Sequence, residues 1–259
     1  MSAARGLGGR IRRWAAAALV LGATLAHAGD AGGIRDIVLV HGAFADGSSW
    51  SPVIRALQHK GYRVAAVQNP LTSLADDVAA TRRVVRRQKG PVLLVGHSWG
   101  GVVVSEAGTE EAVKGIVYLS ALVPDAGESV AGLLARMQAP MEGLVPDPDG
   151  LVWLDDPHAY QRLMAGDVPR AKVRALAAVQ QPMSARAFQE PLTLAAWRIR
   201  PTWYLVTEQD HALAPGVQRA IARHIGARVS SLPSSHLSLV SHPQAVADLI
   251  DRAARAAGR

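Results

Sequence analysis

Short apolar runs alternate with amphipathic segments along most of this 259-residue chain. Most of the runs are rich in valine, isoleucine and leucine, and we interpret them as buried parallel strands at 37–40, 64–67, 92–95, 116–119, 202–206 and 228–232. Helical periodicity between them predicts helices at 52–60, 74–88, 101–108, 215–224 and 242–256. This alternation is typical of a mostly parallel, doubly wound α/β sheet flanked by helices.

One long segment, residues 124–200, interrupts the alternation and shows no strand pattern. It contains prolines, several helical stretches and scattered large apolar residues. We interpret it as an inserted helical cap segment that covers the carboxyl ends of the strands, where open α/β sheets bind ligands. Most of its apolar residues are expected to form its own core. The residues predicted to line a substrate pocket are Phe44, Trp99, Met137 and Trp153.

The first 28 residues have the pattern of a bacterial signal peptide. A basic stretch with four arginines precedes the apolar residues 14–25, and Ala26-His27-Ala28 is an A-x-A cleavage signal. We expect residues 1–28 to be removed, leaving one α/β domain at 29–259 in the periplasm or outside the cell. The apolar stretch is shorter than the roughly 18 to 20 residues that span a bilayer, which disfavours a retained membrane anchor. After cleavage we expect no membrane attachment. An uncleaved anchor is the alternative, and Arg12-Arg13 keeps the twin-arginine route open.

Cleavage would also change the charge of the protein. The whole chain carries 28 basic and 21 acidic residues, a net charge of +7, and removal of the four arginines leaves +3. With so small an excess we expect no nucleic-acid partner, and we interpret the basic stretch at 82–89 as the solvated face of a helix whose Leu74, Val78 and Val85 point inward. The chain has no cysteine, which excludes disulfides, thiolate nucleophiles and cysteine-ligated zinc.

The strongest chemical signal is Gly96-His97-Ser98-Trp99-Gly100, which directly follows an apolar run. In a G-x-S-x-G turn between a strand and a helix, small residues on both sides of the serine allow a strained backbone that exposes the hydroxyl above the sheet. Ser98 is therefore the predicted nucleophile.

A serine hydroxyl is a poor nucleophile at neutral pH, so Ser98 needs a nearby base, and the base needs an orienting acid. His236 lies between the last predicted strand and the last predicted helix, and Asp210 follows the strand at 202–206. We predict that His236 is the base and Asp210 the acid. The residues that remain as alternatives are His242 for the base and Glu208 and Asp125 for the acid.

The oxyanion that forms during attack on a carbonyl needs hydrogen-bond donors, each worth about 3 to 4 kcal/mol. The backbone amides of Trp99 and Ala43 are predicted to supply them, with Phe44 as a further candidate. Gly42 would let the loop after the first strand turn close to the substrate. Structural rather than catalytic roles are assigned to His41, His97 and His211.

These motifs resemble the α/β-hydrolase superfamily, and the resemblance covers essentially everything from Ile34 onward. The segments that carry it are His41-Gly42-Ala43-Phe44, Gly96-His97-Ser98-Trp99-Gly100-Gly101, residues 207–210 and Ser235-His236. The resemblance implies the α/β-hydrolase fold, a triad of Ser98, Asp210 and His236, and oxyanion amides from Ala43 and Trp99.

Within the superfamily the chain is similar to small esterases related to plant methylesterases and hydroxynitrile lyases. The similar positions are residues 38–43 with Trp50, and Ser235, His236, Ser241 and Pro243. Lyases of the rubber-tree type have threonine where this chain has Gly42 and lysine where it has Leu237. A cationic lysine would stabilise departing cyanide and Leu237 cannot, so the resemblance favours ester hydrolysis.

The combined prediction is a serine hydrolase, a carboxylesterase that cleaves small to medium hydrophobic esters through an acyl-serine intermediate, without metal or cofactor. A small-molecule ester is its expected partner. A cofactor-free perhydrolase, a lactonase and an amidase with the same triad are alternatives, as is a catalytically silent protein that binds apolar ligands. The sequence makes no prediction of the oligomeric state.

Overall fold

The structure, a computed structural model, describes residues 33–139 and 143–258. The predicted signal peptide at 1–28 lies outside the described residues. Among the residues that are described, no helix is long and apolar enough to cross a membrane.

Strands and helices alternate before the cap segment and again after it. In chain order, the strands are β1 (Asp36–Val40), β2 (Arg63–Ala66), β3 (Val92–His97), β4 (Val113–Leu119), β5 (Leu151–Val152), β6 (Met183–Ser184), β7 (Thr202–Thr207) and β8 (Arg228–Leu232). The helices are α1 (Ser51–His59), α2 (Leu74–Arg86), α3 (Gly100–Ala107), α4 (Val130–Arg136), α5 (Pro157–Met164), α6 (Arg170–Val179), α7 (Pro215–His224), α8 (Ser238–Ser241) and α9 (Pro243–Ala257). Short 3-10 helices lie at Gly47–Trp50, Ala185–Gln189 and Ala196–Arg198. Every strand and helix predicted from the alternation is present, with ends that differ by at most three residues.

The main sheet has six parallel strands in the order β2-β1-β3-β4-β7-β8. β1 and β3 are buried at every position. The apolar runs at 37–40 and 92–95 within these strands fit this burial, since a central parallel strand is covered on both faces. Val40 pairs with Gly96 in the register of these two strands. The loops that follow β1 and β3 therefore begin side by side at the same end of the sheet.

Helices cover both faces of the main sheet. The crossover through α1 moves in one direction along the sheet, from β1 to β2, whereas the crossovers through α2, α3 and α7 move in the other direction. Because such crossovers are right-handed, helices that move in opposite directions lie on opposite faces. In agreement, α1 packs against α9, and α2 packs against α3. The doubly wound parallel sheet predicted from the sequence is confirmed.

The cap segment, residues 124–200, lies between β4 and β7 and contains α4, α5 and α6. Its apolar side chains, among them Leu133, Tyr160 and Met183, belong to the same buried cluster as the strands of the main sheet. The expectation of no strand in this segment is wrong, because β5 and β6 pair antiparallel as a small ribbon. Strands of two residues are too short to show an alternating pattern. Helix α8 has only four residues and is likewise too short to show helical periodicity in the sequence.

Candidate active site

Ser98 occupies the turn between β3 and α3. Its φ of 52° lies in the left-handed region, which costs a residue with a side chain about 1 to 3 kcal/mol. The turn is also sterically tight. A Cβ added to Gly100 would lie 2.5 Å from the carbonyl oxygen of Val40, and one added to Gly96 would lie 2.5 Å from the carbonyl oxygen of Gly100. The two glycines of G-x-S-x-G are therefore required by packing around Ser98.

His236 and Asp210 meet beyond the carboxyl ends of β7 and β8. His236 Nδ1 lies 2.7 Å from Asp210 Oδ2, and both side chains are buried. Because a carboxylate can only accept a hydrogen bond, Nδ1 of the neutral imidazole carries the proton and Nε2 keeps its lone pair. A neutral His236 can therefore act as a base through Nε2.

The Asp210 carboxylate is held on both of its oxygens. Oδ1 accepts hydrogen bonds from the backbone amides of Ala212 and Leu213, each at 2.8 Å. Oδ2 also accepts from Thr207 Oγ1 at 2.7 Å and from Gln218 Nε2 at 2.9 Å. Burial raises the pKa of Asp210, but the adjacent imidazole and the hydrogen bonds outweigh burial and leave this pKa below its usual range. The carboxylate is therefore ionised at neutral pH.

Two buried side chains hold the backbone of His236. Its carbonyl oxygen accepts hydrogen bonds from His97 Nε2 at 3.0 Å and from Ser120 Oγ at 3.3 Å. Burial, together with the nearby imidazole of His236, lowers the pKa of His97 to about 3. The ring of His97 is thus neutral, and its Nε2 carries the proton that it donates. His97 has the structural role that the sequence predicts.

The loop after β1 approaches Ser98 closely. A Cβ added to Gly42 would lie 2.7 Å from the Cβ of Ser98, so any side chain here would displace the loop or the serine. His41 Nε2 accepts a hydrogen bond from the backbone amide of Asn69 at 3.0 Å. Nδ1 of His41 therefore carries the proton and donates to the carbonyl of Gly42 at 2.9 Å. Burial lowers the pKa of His41, so its ring stays neutral and holds the loop.

The predicted oxyanion donors lie beside the serine. Ala43, Phe44 and Trp99 line the same cavity as Ser98. Within residues 33–139 and 143–258, the backbone amides of these three residues donate no hydrogen bond to another protein group. Free amides beside a serine hydroxyl are available to bind a developing negative charge.

A buried carboxylate fixes the indole of Trp99. The indole Nε1 donates to Asp77 Oδ2 at 2.7 Å, and Asp77 Oδ1 accepts from the backbone amide of Leu71 at 2.8 Å. Burial raises the pKa of Asp77 to about 6, although these hydrogen bonds act in the opposite direction. The Phe188 ring packs edge-on against the Trp99 ring, with 5.4 Å between the centroids. Trp99 therefore forms a fixed wall of the cavity.

Ser98 and His236 lie in the wall of a cavity of about 320 Å³. The polar residues of its lining are Ser98, His236 and His211. From the cap segment, the lining includes Leu134, Leu144, Leu154, Leu163, Met164 and Phe188. From the loops of the main sheet, it includes Ala43, Phe44, Trp99, Leu122, Ala212 and Leu213. A cavity of this size and composition fits a small ligand with an apolar body.

Met137 and Trp153, which are predicted to line the pocket, are not among the described residues that line this cavity. Trp153 is 44% exposed, and its indole Nε1 donates to Asp147 Oδ2 at 2.9 Å on the surface of the cap segment. Met137 directly follows the last residue of α4 and packs, partly buried, against the hydrophobic core cluster. Size and apolarity alone do not tell toward which side such residues pack.

His211 is a cavity residue that the sequence prediction missed. It lies in a loop, as predicted, but it is exposed and also lines the cavity. Its position directly after the predicted acid is the signal that could have found it, because loops at the carboxyl ends of parallel strands surround the binding site.

The alternative base and acids lie apart from this site. Glu208 and Asp125 form ion pairs with arginines. His242 Nδ1 lies 3.5 Å from Asp167 Oδ2. None of the three alternatives is among the described residues that line the cavity with Ser98.

The chain was compared with known proteins. Its sequence matches the model of the α/β hydrolase family over residues 37–249. An α/β hydrolase of Aspergillus novofumigatus is 27% identical over 242 residues, which cover 84% of this chain and 96% of that protein. A pyrethroid hydrolase of Sphingobium wenxiniae is 26% identical over 245 residues, which cover 84% of this chain and 86% of that protein. The crystal structure of polyneuridine aldehyde esterase has a TM-score of 0.75 at 18% identity, covering 85% of this chain and 98% of that one.

The family match extends from β1 into α9. It includes the positions of Ser98, Asp210 and His236. The α/β-hydrolase fold that the sequence resemblance implies is therefore confirmed, and the structural likeness agrees with it. The chain belongs to the α/β hydrolase family.

Proposed function

We propose that this chain is an exported serine hydrolase that cleaves small to medium hydrophobic carboxylic esters through an acyl-enzyme on Ser98. The observation that carries the proposal is the 2.7 Å contact between His236 Nδ1 and the buried Asp210, with His236 and Ser98 in the wall of one cavity. An imidazole of this tautomer can act as the base, and a serine in a strained turn near it can act as the nucleophile. Two relatives named as hydrolases support hydrolysis.

In the acylation half of the proposed reaction, the hydroxyl oxygen of Ser98 attacks the carbonyl carbon of the ester while His236 Nε2 takes the hydroxyl proton. The negative charge that forms on the carbonyl oxygen is stabilised by the amides of Ala43 and Trp99. The imidazolium then gives its proton to the oxygen of the leaving alcohol, and the carbon–oxygen bond breaks. Asp210 stabilises the imidazolium without taking its proton.

In the deacylation half, a water molecule replaces the alcohol. His236 Nε2 takes a proton from this water as its oxygen attacks the acyl carbon, and the same amides stabilise the second tetrahedral intermediate. The imidazolium then protonates the departing oxygen of Ser98. The product is a carboxylic acid, and the free enzyme is restored.

The cavity supports an uncharged ester with an apolar body. Leucines of the cap segment supply much of the wall, and the described lining contains no lysine or arginine that would hold a carboxylate or phosphate. Apolar walls also keep water from the carbonyl, which strengthens the hydrogen bonds to the oxyanion.

Hydrolysis of a panel of p-nitrophenyl esters, lactones and amides tests the proposal. We expect the wild-type protein to turn over esters, with kcat reduced by at least about 10³-fold in Ser98→Ala and His236→Ala. His59→Ala, an exposed histidine on α1, is the control and should match the wild type. A wild-type protein that hydrolyses no ester would refute the proposal. Peroxide-dependent halogenation without ester turnover would favour a perhydrolase instead.

A further inference from the structure

Helix α5 of the cap segment contacts the two loops on which the proposed chemistry depends. The loop after β1 carries the oxyanion amides, and we call it the oxyanion loop, residues 41–45. The loop after β8 carries the base, and we call it the base loop, residues 233–237. Tyr160 of α5 donates a hydrogen bond from its hydroxyl to the carbonyl of Phe44, 3.1 Å away. Four residues later, the carbonyl of Met164 accepts a hydrogen bond from the backbone amide of Leu237 at 3.0 Å.

The turn that follows α5 contacts the base loop a second time. Asp167 Oδ2 accepts a hydrogen bond from the backbone amide of Ser235 at 3.2 Å. Ser235 Oγ donates to Asp167 Oδ1 and also lies 3.2 Å from the carbonyl of Met164. The residues immediately before and after His236 are therefore both bonded to the cap segment.

Burial and charge make these contacts strong. Tyr160 is 1% exposed and Ser235 is 3% exposed, so water does not compete for their hydrogen bonds. Burial raises the pKa of Asp167, but hydrogen bonds from the hydroxyls of Ser235 and Ser241 outweigh burial and hold it below its usual range. An ionised carboxylate forms hydrogen bonds that are roughly twice as strong as those between neutral groups.

The backbone of the oxyanion loop needs such support. Phe44 has a φ of 56°, in the left-handed region that a residue with a side chain adopts only when its surroundings enforce it. The bond from Tyr160 ends on the carbonyl of this same residue. A displacement of about 1 Å between reacting groups can lower a rate by roughly 100-fold.

We propose that Tyr160 and Asp167 are positioning residues that hold the oxyanion loop and the base loop in their catalytic separation. The proposal rests on the proposed function, because it assigns catalytic roles to both loops. In this account the cap segment sets the geometry of the reacting groups in addition to covering the cavity. Tyr160 acts through Phe44, and Asp167 acts through Ser235.

Steady-state kinetics with a short p-nitrophenyl ester tests the proposal in the full-length protein. We expect Tyr160→Phe and Asp167→Asn each to lower kcat by about 10- to 100-fold with KM changed by less than twofold, because the loops move while the cavity walls remain. Asp155→Asn, an exposed acid of the cap segment, is the matched control and should keep the wild-type kcat. The double variant should lose less than the product of the two single losses, since both contacts act on one geometry.

The experiment distinguishes a failure of the positioning role from a failure of the proposed function. Ser235→Ala removes the hydroxyl but keeps the Asp167 carboxylate, so it provides a second variant if Asp167→Asn does not fold. Variants that keep kcat within twofold of an active wild type, or that change KM alone, would overturn the positioning role and leave the proposed function intact. A wild type that hydrolyses no ester would overturn the proposed function and this proposal with it.

Discussion

The proton on His236 Nδ1 is the atom on which the proposed base depends. Asp210 Oδ2 accepts the hydrogen bond from this N–H, with 2.7 Å between Nδ1 and Oδ2, while Thr207 and Gln218 hold the carboxylate in place. The carbonyl of His236 is bonded in turn by His97. The tautomer and the position of the imidazole are therefore set by separate contacts, and each can be altered alone.

Asp210→Asn should remove the correct tautomer with little change in shape. In one orientation the new NH₂ group faces His236 Nδ1 and, being a donor, favours the tautomer with the proton on Nε2. In the other orientation the NH₂ group faces the backbone amides of Ala212 and Leu213, which are also donors. We expect kcat for a p-nitrophenyl ester to fall roughly 10³- to 10⁴-fold. Asp155→Asn is the control. An Asp210→Asn enzyme within tenfold of the wild type would show that another residue orients the base.

Asp77 should give the stability of the protein a measurable pH dependence. Burial raises the pKa of Asp77 from its ordinary value of 3.8 to about 6 in the folded protein. The stabilisation from its protonated carboxyl is therefore complete below pH 3.8 and is lost as the pH rises through 6. Between pH 4.5 and 7.5, the difference in unfolding free energy between the wild type and Asp77→Asn should fall by about 2 kcal/mol. Urea unfolding at both pH values measures this difference. Parallel pH dependence of the two proteins would contradict the assignment.

The main sheet could be predicted because its strands and helices are long enough to carry a pattern. The apolar residues of α2, Leu74, Val78 and Val85, are buried as their spacing predicts. β5 and β6 are too short for such a signal. The lining of the cavity depends on how α4 and α5 pack over the sheet, and the sequence does not encode that packing as a local pattern.

The position of α5 predicts a change in substrate preference. Leu163 lies in the wall of the cavity and is only partly buried, so Leu163→Ala should enlarge the cavity at a small cost in stability. We expect the ratio of kcat/KM for a long acyl chain to that for a short one to rise about tenfold. Leu194→Ala, at a residue that is 52% exposed, is the control. An unchanged ratio would mean that the acyl chain does not contact α5.

The candidate site draws on the whole length of the chain. Ser98 follows β3, Asp210 follows β7 and His236 follows β8. All three strands are parallel, so their carboxyl ends meet at one end of the sheet and topology brings the three residues together. Because of this rule, the proximity of these three residues could be predicted from the strand ends alone. No comparable rule applies to side chains of the cap segment, and Met137 and Trp153 are not among the described residues that line the cavity.

Export is a prediction about the full-length chain. When the gene is expressed in a bacterium with its first 28 residues, we expect the exported protein to begin at Gly29, because Ala26-His27-Ala28 supplies small residues at the cleavage site. Amino-terminal sequencing of the periplasmic or secreted protein measures this. Ala28→Arg should block cleavage and serves as the control. A mature protein that still contains residues 1–28 would indicate an uncleaved anchor.

The most direct test of the account is to find the residue that becomes covalently modified. After incubation with a fluorophosphonate, mass spectrometry of the digested wild-type protein should show one adduct on the peptide that contains Ser98. Labelling should be absent in Ser98→Ala, strongly slowed in His236→Ala, and unchanged in Ser231→Ala, an exposed serine on β8. An adduct on a different residue, or an esterase whose labelling survives Ser98→Ala, would contradict the account.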